Sequence, residues 1–208
     1  MPGEVLIYIT KYGYLAVFLM VFLQEIGFPN PVPNELLLIF SGYLTYKGML
    51  SFFLLIPVVL AADLSGTFIL FFLFRGAGQK ILQKAPRWFP LSGDGFRNLQ
   101  QKISSGGNLS IFLLRLTPFT RGYTSAISGL TGVKPGVYTR IAIPTAMIWA
   151  FGYITAGLFI APFWDEFNKR TGDFRSILAG MFMITLIFIL VAIISRLKNR
   201  TGKLTGEI

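Results

Sequence analysis

The amino-acid sequence predicts an all-α integral membrane protein, and three observations carry that prediction. Of the 208 residues, 53% are hydrophobic and only 13% charged, where a soluble domain carries about a quarter charged residues. The apolar residues fall in long runs, which places residues 1–195 in one compact membrane domain. Five charged residues, Glu25, Glu35, Asp63, Arg115 and Arg121, nevertheless sit inside those runs. A charge near the centre of a bilayer costs about 2.5–3.5 kcal/mol on insertion scales, so each of the five marks a candidate polar site in lipid.

Composition then removes several kinds of chemistry. The chain has no cysteine and no histidine. Disulfides, thiolate nucleophiles, Ser-His-Asp triads and imidazole proton shuttles are therefore excluded, and no metal or cofactor is expected. A proton carried near neutral pH must ride on a carboxylate, whose hold on it is set by burial against nearby arginines. The formal net charge is +10, which in a soluble protein would suggest nucleic acid. Here the basic residues collect at Arg75, Lys80, Lys84, Arg87, Arg97 and Lys102, and again at Arg196, Lys198, Arg200 and Lys203. That is the positive-inside pattern of cytoplasmic segments. No base-stacking or groove-reading module accompanies it, so nucleic acid is not an expected partner. The N-terminus lacks a basic start and a small-residue cleavage site, and does not read as a signal peptide.

In chain order, residues 1–12 read as a short interfacial helix and 14–26 as an apolar half-helix. Prolines at 29, 31 and 33 stop it. Helix resumes over 34–46, with Asn34 as the expected N-cap. Each arm is about 20 Å long at 1.5 Å per residue, too short for a hydrocarbon core of about 30 Å. Residues 14–46 therefore read as a re-entrant hairpin, whose irregular tip must be surrounded by protein or a water-filled cavity. A full crossing is expected over 51–74 with Asp63 near its centre, then a cytoplasmic amphipathic stretch over 77–105. A second hairpin is expected over 108–132, broken at Thr117-Pro118. Full crossings follow at 137–162 and 176–195, separated by a charged outer loop over 165–175, and residues 196–208 form a basic cytoplasmic tail. With 77–105 inside, the first hairpin dips from outside and the second from inside. That is a transporter-like inverted repeat. Shifting the first half by 87 residues, the distance from Pro31 to Pro118, also aligns Ser41 with Ser128, Gly42 with Gly129, Lys47 with Lys134 and Pro57 with Pro144.

The pattern Glu25-x5-Pro31-x-Pro33-x-Glu35, and Phe112-x2-Arg115-x2-Pro118-x2-Arg121 followed by Ser128-Gly129, resembles the two signature hairpins of the DedA family. This family is the bacterial branch of the VTT, or SNARE-associated, membrane proteins. The likeness covers roughly residues 10–160 and includes Asp63-x2-Gly66 and Arg75-Gly76-x-Gly78. Thr67-Phe68 departs from the small-aromatic pair expected after the aspartate, and Ser128 stands where alanine is common. The resemblance implies lipid translocation across the bacterial cytoplasmic membrane, driven by the proton-motive force. The implied substrate is undecaprenyl phosphate, or a phospholipid such as phosphatidylethanolamine. Essential acids map to Glu35 and Asp63, with Glu25 also matching, and essential arginines map to Arg115 and Arg121.

The residues themselves allow these roles. Arg115 and Arg121, six apart across a proline break, can converge on one phosphate through charge-assisted bonds. Resumed half-helices at Asn34 and about Thr120 would add unpaired N–H groups. The alternative is a structural ion-pair cluster in which the arginines neutralise Glu25 and Glu35. Glu35 and Asp63 are the candidate proton carriers, with Asp63 alternatively a helix–helix hydrogen bond and Glu25 a gate or a partner at the hairpin tip. Pro31, Pro33 and Pro118 shape the breaks, and Gly42 and Gly129 allow close helix packing. Trp149 reads as a packing residue, and Trp88 and Trp164 as interface anchors.

Proton coupling separates the two lipid substrates. Moving an anion inward against an inside-negative potential costs about 2.3 kcal/mol per charge per 100 mV. Co-transported protons cancel that cost for a lipid phosphate, whereas a zwitterionic lipid incurs none. Uncoupled phospholipid flipping or scrambling, and a small-ion/proton antiporter using the same acids, stay open as alternatives. A membrane-embedded enzyme is disfavoured by the missing nucleophiles. Homo-oligomerisation stays open.

Overall fold

A computed structural model describes residues 3–28, 32–84, 94–118 and 120–171. All regular structure among them is helical: α1 (Gly3–Glu25), α2 (Asn34–Tyr46), α3 (Phe52–Lys84), α4 (Asp94–Leu116), α5 (Arg121–Leu130) and α6 (Pro135–Thr171). Pro31, the crossing expected over 176–195 and the tail over 196–208 lie outside the described residues. Residues up to Phe159 form one compact unit, which holds all five of the charges singled out above.

α1 and α2 are joined through a proline-containing break, as are α4 and α5. The expected interfacial helix over 1–12 and half-helix from 14 are instead one continuous helix, α1, whose 23 residues run about 35 Å, longer than the arm expected of the first hairpin. Gly13 lies between two tyrosines with no proline near it, and a lone glycine costs a helix only about 1 kcal/mol. Gly27 ends α1 in a left-handed conformation, φ 90°. Its N–H donates to the Gln24 carbonyl at 3.0 Å and the Phe28 N–H to Leu23 at 2.9 Å, a Schellman closure. Gly132 ends α5 the same way, with bonds to Gly129 and Ser128.

α2 starts where expected, but Asn34 is its first helical residue and Pro33 its N-cap. The Asn34 N–H donates to Gln24 Oε1 of α1 at 3.1 Å, so a neighbouring side chain does the capping. In α4 the backbone leaves helical geometry at Gly107, φ 59°, which separates the amphipathic stretch from a short arm over 108–116. α5 begins at Arg121 after Pro118 has broken the helix. α6 also exceeds its expected bounds: residues 165–171, read as loop, continue it, since no proline or glycine interrupts residues 165–170.

Among the described residues, two segments are long and apolar enough to cross a membrane, Phe52–Gly78 of α3 and Pro135–Trp164 of α6. Both turn large apolar side chains outward, including Phe53, Phe72, Ile148 and Phe151. An apolar exterior on this scale suits lipid rather than water. The core joins four helices through Phe71 and Phe74 of α3, Ile103 and Ile111 of α4, Ile127 of α5 and Tyr138 of α6. Phe71 and Tyr138 stack with ring centroids 4.3 Å apart.

Glycines set the closest helix approaches. A Cβ on Gly129 of α5 would sit 2.2 Å from the Phe71 carbonyl oxygen of α3. A Cβ on Gly42 of α2 would sit 2.1 Å from the Ile154 carbonyl oxygen of α6. The short arm of each half therefore packs on the long helix of the other half. We expect Gly129→Ala to lower stability by about 1–3 kcal/mol, the usual cost of overpacking. Gly136→Ala, which meets nothing within 4 Å, should leave the thermal unfolding temperature in detergent unchanged. Equal melting temperatures for the two variants would show that the α3–α5 approach is not tight.

Candidate functional site

Four of the five sequence-predicted charges meet at one point. Glu25 is the last residue of α1, and the break that follows leaves its side chain against α3. Asp63 lies midway along α3, and Arg115 and Arg121 flank the Pro118 break between α4 and α5. All four are buried, with Asp63 0% and Arg115 1% exposed.

Asp63 bridges the two arginines. Its Oδ1 accepts a short hydrogen bond from Arg121 Nη2, and its Oδ2 lies 3.6 Å from Arg115 Nη2. Glu25 Oε1 lies 3.1 Å from Arg121 Nε, and its Oε2 accepts a 3.3 Å hydrogen bond from Thr67 Oγ1. Two cations and two anions thus form one buried cluster with zero formal charge.

The two arginines sit in different surroundings. Arg115 is wrapped in neutral hydroxyls: its Nε donates to Thr145 Oγ1 at 3.0 Å. Its Nη1 faces Tyr138 OH at 2.9 Å, Ser125 Oγ at 3.2 Å and Thr67 Oγ1 at 3.3 Å. Those hydroxyls pass their own protons outward, Tyr138 to Ser125 Oγ at 2.7 Å and Ser125 to the Arg121 carbonyl at 3.2 Å. Thr145 donates back to Ile141 at 2.8 Å. Arg121 is held by the two carboxylates and by the Trp149 ring, whose centroid lies 3.7 Å from the guanidinium carbon. Its Nη1 has no hydrogen-bond partner.

Glu35 is buried in the first turn of α2 but pairs with neither arginine, and its Oε2 has no hydrogen-bond partner. Tyr153 of α6 is within electrostatic range of both Glu35 and Arg121. Pro33 and Pro118 stand at the two breaks, and Gly129 at the α3–α5 crossing.

Sequence reasoning missed Thr67, Ser125, Tyr138 and Thr145, and gave Trp149 only a packing role. Spacing held a signal for them. Thr67 and Ser125 each lie four residues beyond a site charge, Asp63 and Arg121, on the same helical face. Tyr138, Thr145 and Trp149, at intervals of seven and four, form one stripe of α6.

Removing one member of a buried ion cluster leaves the opposite charge uncompensated, at about 3–5 kcal/mol. One interhelical hydroxyl bond within a membrane is worth about 1 kcal/mol. Asp63→Ala should therefore destabilise the purified protein severalfold more than Thr145→Val. Thermal unfolding of both variants in the same detergent checks the ranking, and a Thr145→Val cost as large as that of Asp63→Ala would make the hydroxyl cage the dominant restraint.

Comparison with known proteins gives a consistent picture. The family model for the VTT domain matches residues 32–159. The uncharacterized membrane protein YbfM of Bacillus subtilis is 30% identical over 149 residues, covering 72% of this chain and 91% of the relative. Undecaprenyl phosphate transporter A of Staphylococcus aureus is 22% identical over 196 residues, covering 92% and 96%. A Lactococcus lactis protein called alkaline phosphatase-like is 22% identical over 190 residues, covering 89% and 87%. No solved structure matches the chain.

Proposed function

Because the chain belongs to the VTT-domain family of membrane proteins, the DedA family, we propose that it is a proton-coupled transporter, not an enzyme, for a phosphate-bearing lipid. The substrate is undecaprenyl phosphate, the compound for which the staphylococcal relative is named. The observation that carries this reading is the neutral buried cluster in which Arg121 keeps Nη1 unpartnered. A phosphate arriving there adds negative charge to a balanced site. In a low-dielectric interior that charge is tolerated only if a carboxylate takes up a proton or leaves. Glu25 is placed to do so: it holds Arg121 alone, whereas Asp63 holds both arginines. A neutral Glu25 releases the Nε edge of Arg121 to a phosphate oxygen, and charge balance ties anion binding to proton uptake. Asp63 and Glu35 extend the proton pathway. The inward anion then moves with its charge compensated, so the membrane potential no longer opposes it.

The same reading places the α1–α2 and α4–α5 segments as opposed re-entrant hairpins of an inverted repeat in a multi-pass protein of the bacterial cytoplasmic membrane. Asn34 and Arg121, 87 residues apart, open α2 and α5, and Gly42 and Gly129, at the same offset, pack on α6 and α3. Arg75, Lys80 and Lys102 put the intervening region on the cytoplasmic side. The phosphatase-like name has less support, since the chain carries neither histidine nor cysteine.

Headgroup translocation in proteoliposomes tests the function. We expect undecaprenyl phosphate to move only with a pH gradient. Arg121→Ala should cut the rate roughly tenfold to a hundredfold, the worth of a charge-assisted bond of about 1.5–3 kcal/mol. Glu25→Gln should abolish the gradient dependence. Gradient-independent movement of phosphatidylethanolamine alone would instead establish an uncoupled phospholipid carrier. Movement of neither lipid by folded protein would end the lipid-transport reading.

A further inference from the structure

An open groove of about 350 Å³ runs beside the ion cluster. It is lined by Leu116 at the end of α4 and by Ile148, Trp149, Gly152, Tyr153 and Ala156 of α6. The volume falls within the range of small-molecule sites, about 300–1,000 Å³. The lining is apolar or aromatic, and all of it but Leu116 belongs to the membrane-length segment Pro135–Trp164. Ile148 is 52% exposed, so the groove opens onto the surface that would meet lipid. Its floor is open at Gly152, where an added Cβ would meet nothing within 4 Å.

Trp149 belongs to both the groove and the cluster. It is 3% exposed, lines the groove and lies over Arg121. Its Nε1 has no hydrogen-bond partner. The ring is held by the Arg121 contact and by an edge-on contact with Tyr153 at 5.8 Å. Turning it aside breaks no hydrogen bond.

We propose that this groove is the subsite for the hydrocarbon chain of the lipid phosphate, with Trp149 as a movable partition between the chain and Arg121. The inference rests on the lipid-phosphate reading above. A phosphate bonded to Arg121 carries its chain one ester bond away, so the chain must leave the cluster along an apolar surface. The groove shares a wall with Arg121 and opens toward lipid. Bulk lipid is as apolar as the groove, so selection for the chain comes from packing rather than from the hydrophobic effect.

Trp149 fluorescence reports occupancy directly. In full-length Trp88→Phe/Trp164→Phe protein in phosphatidylcholine nanodiscs, farnesyl phosphate should change Trp149 emission saturably and at lower concentration than inorganic phosphate. Gly152→Leu, which fills the groove from an open position, should raise the farnesyl phosphate concentration at half-saturation at least about tenfold, as a misfit in a shaped apolar pocket does. Inorganic phosphate should be affected far less. Ala156→Leu provides a second filling variant should Gly152→Leu melt early. If both variants leave the farnesyl phosphate response unchanged while Arg121→Gln abolishes it, the groove assignment fails and the arginine site stands. If Arg121→Gln also leaves it unchanged, the lipid-phosphate reading fails and the groove assignment with it.

Discussion

Charge neutrality inside an apolar interior is the constraint on which the rest of this structure depends. Moving each ion from water costs several kcal/mol, and a single pair at 4 Å returns about 4 kcal/mol at an effective dielectric near 20. Pairing therefore roughly offsets burial and adds little stability of its own. Apolar residues of similar volume would hold the helices as well, so stability alone does not account for the cluster. Its geometry explains the architecture around it. Charges from α1, α3, α4 and α5 meet only if two helices stop short beside the long α3, which is what the proline breaks achieve.

Much of this was legible in the chain. Charges in apolar runs are conspicuous because of their cost, which is why Glu25, Asp63, Arg115 and Arg121 stood out. Prolines announce breaks through their geometry, so the starts of α2 and α5 were readable to within a residue. Threonine and serine hydroxyls carry no comparable signal in a membrane helix, because they can satisfy themselves on the preceding turn, as Thr145 does with Ile141. Their second role as acceptors for Arg115 depends on which helix faces which. The same applies to Glu35, whose sequence spacing matched a motif but whose partners are set by how α2 packs on α6. Gly13 did not interrupt α1 because nothing around it reinforced a break.

The surroundings of the two arginines also divide their behaviour. Hydroxyls do not titrate near neutral pH, so the bonds from Arg115 to Thr145, Ser125 and Tyr138 do not depend directly on the protonation of the acids. Arg121 is held by carboxylates and an aromatic face, and its restraint weakens whenever a carboxylate loses its charge. Under the proposed transport function a site needs one fixed partner and one conditional partner, and the Pro118 break gives two arginines six residues apart these separate surroundings.

The order of the charges along the chain matters for biosynthesis. Glu25 and Asp63 precede Arg115 and Arg121, so the acids of the cluster come from the first part of the chain and its arginines from the second. On the membrane placement proposed above, a nascent chain would commit its acids to the bilayer before their counter-ions have been made. Carboxylates can wait there as neutral acids by borrowing a proton, whereas a guanidinium stays charged under all cellular conditions. The member of each pair that can shed its charge is synthesised first, and on that placement the arginines would enter a bilayer in which their partners already lie.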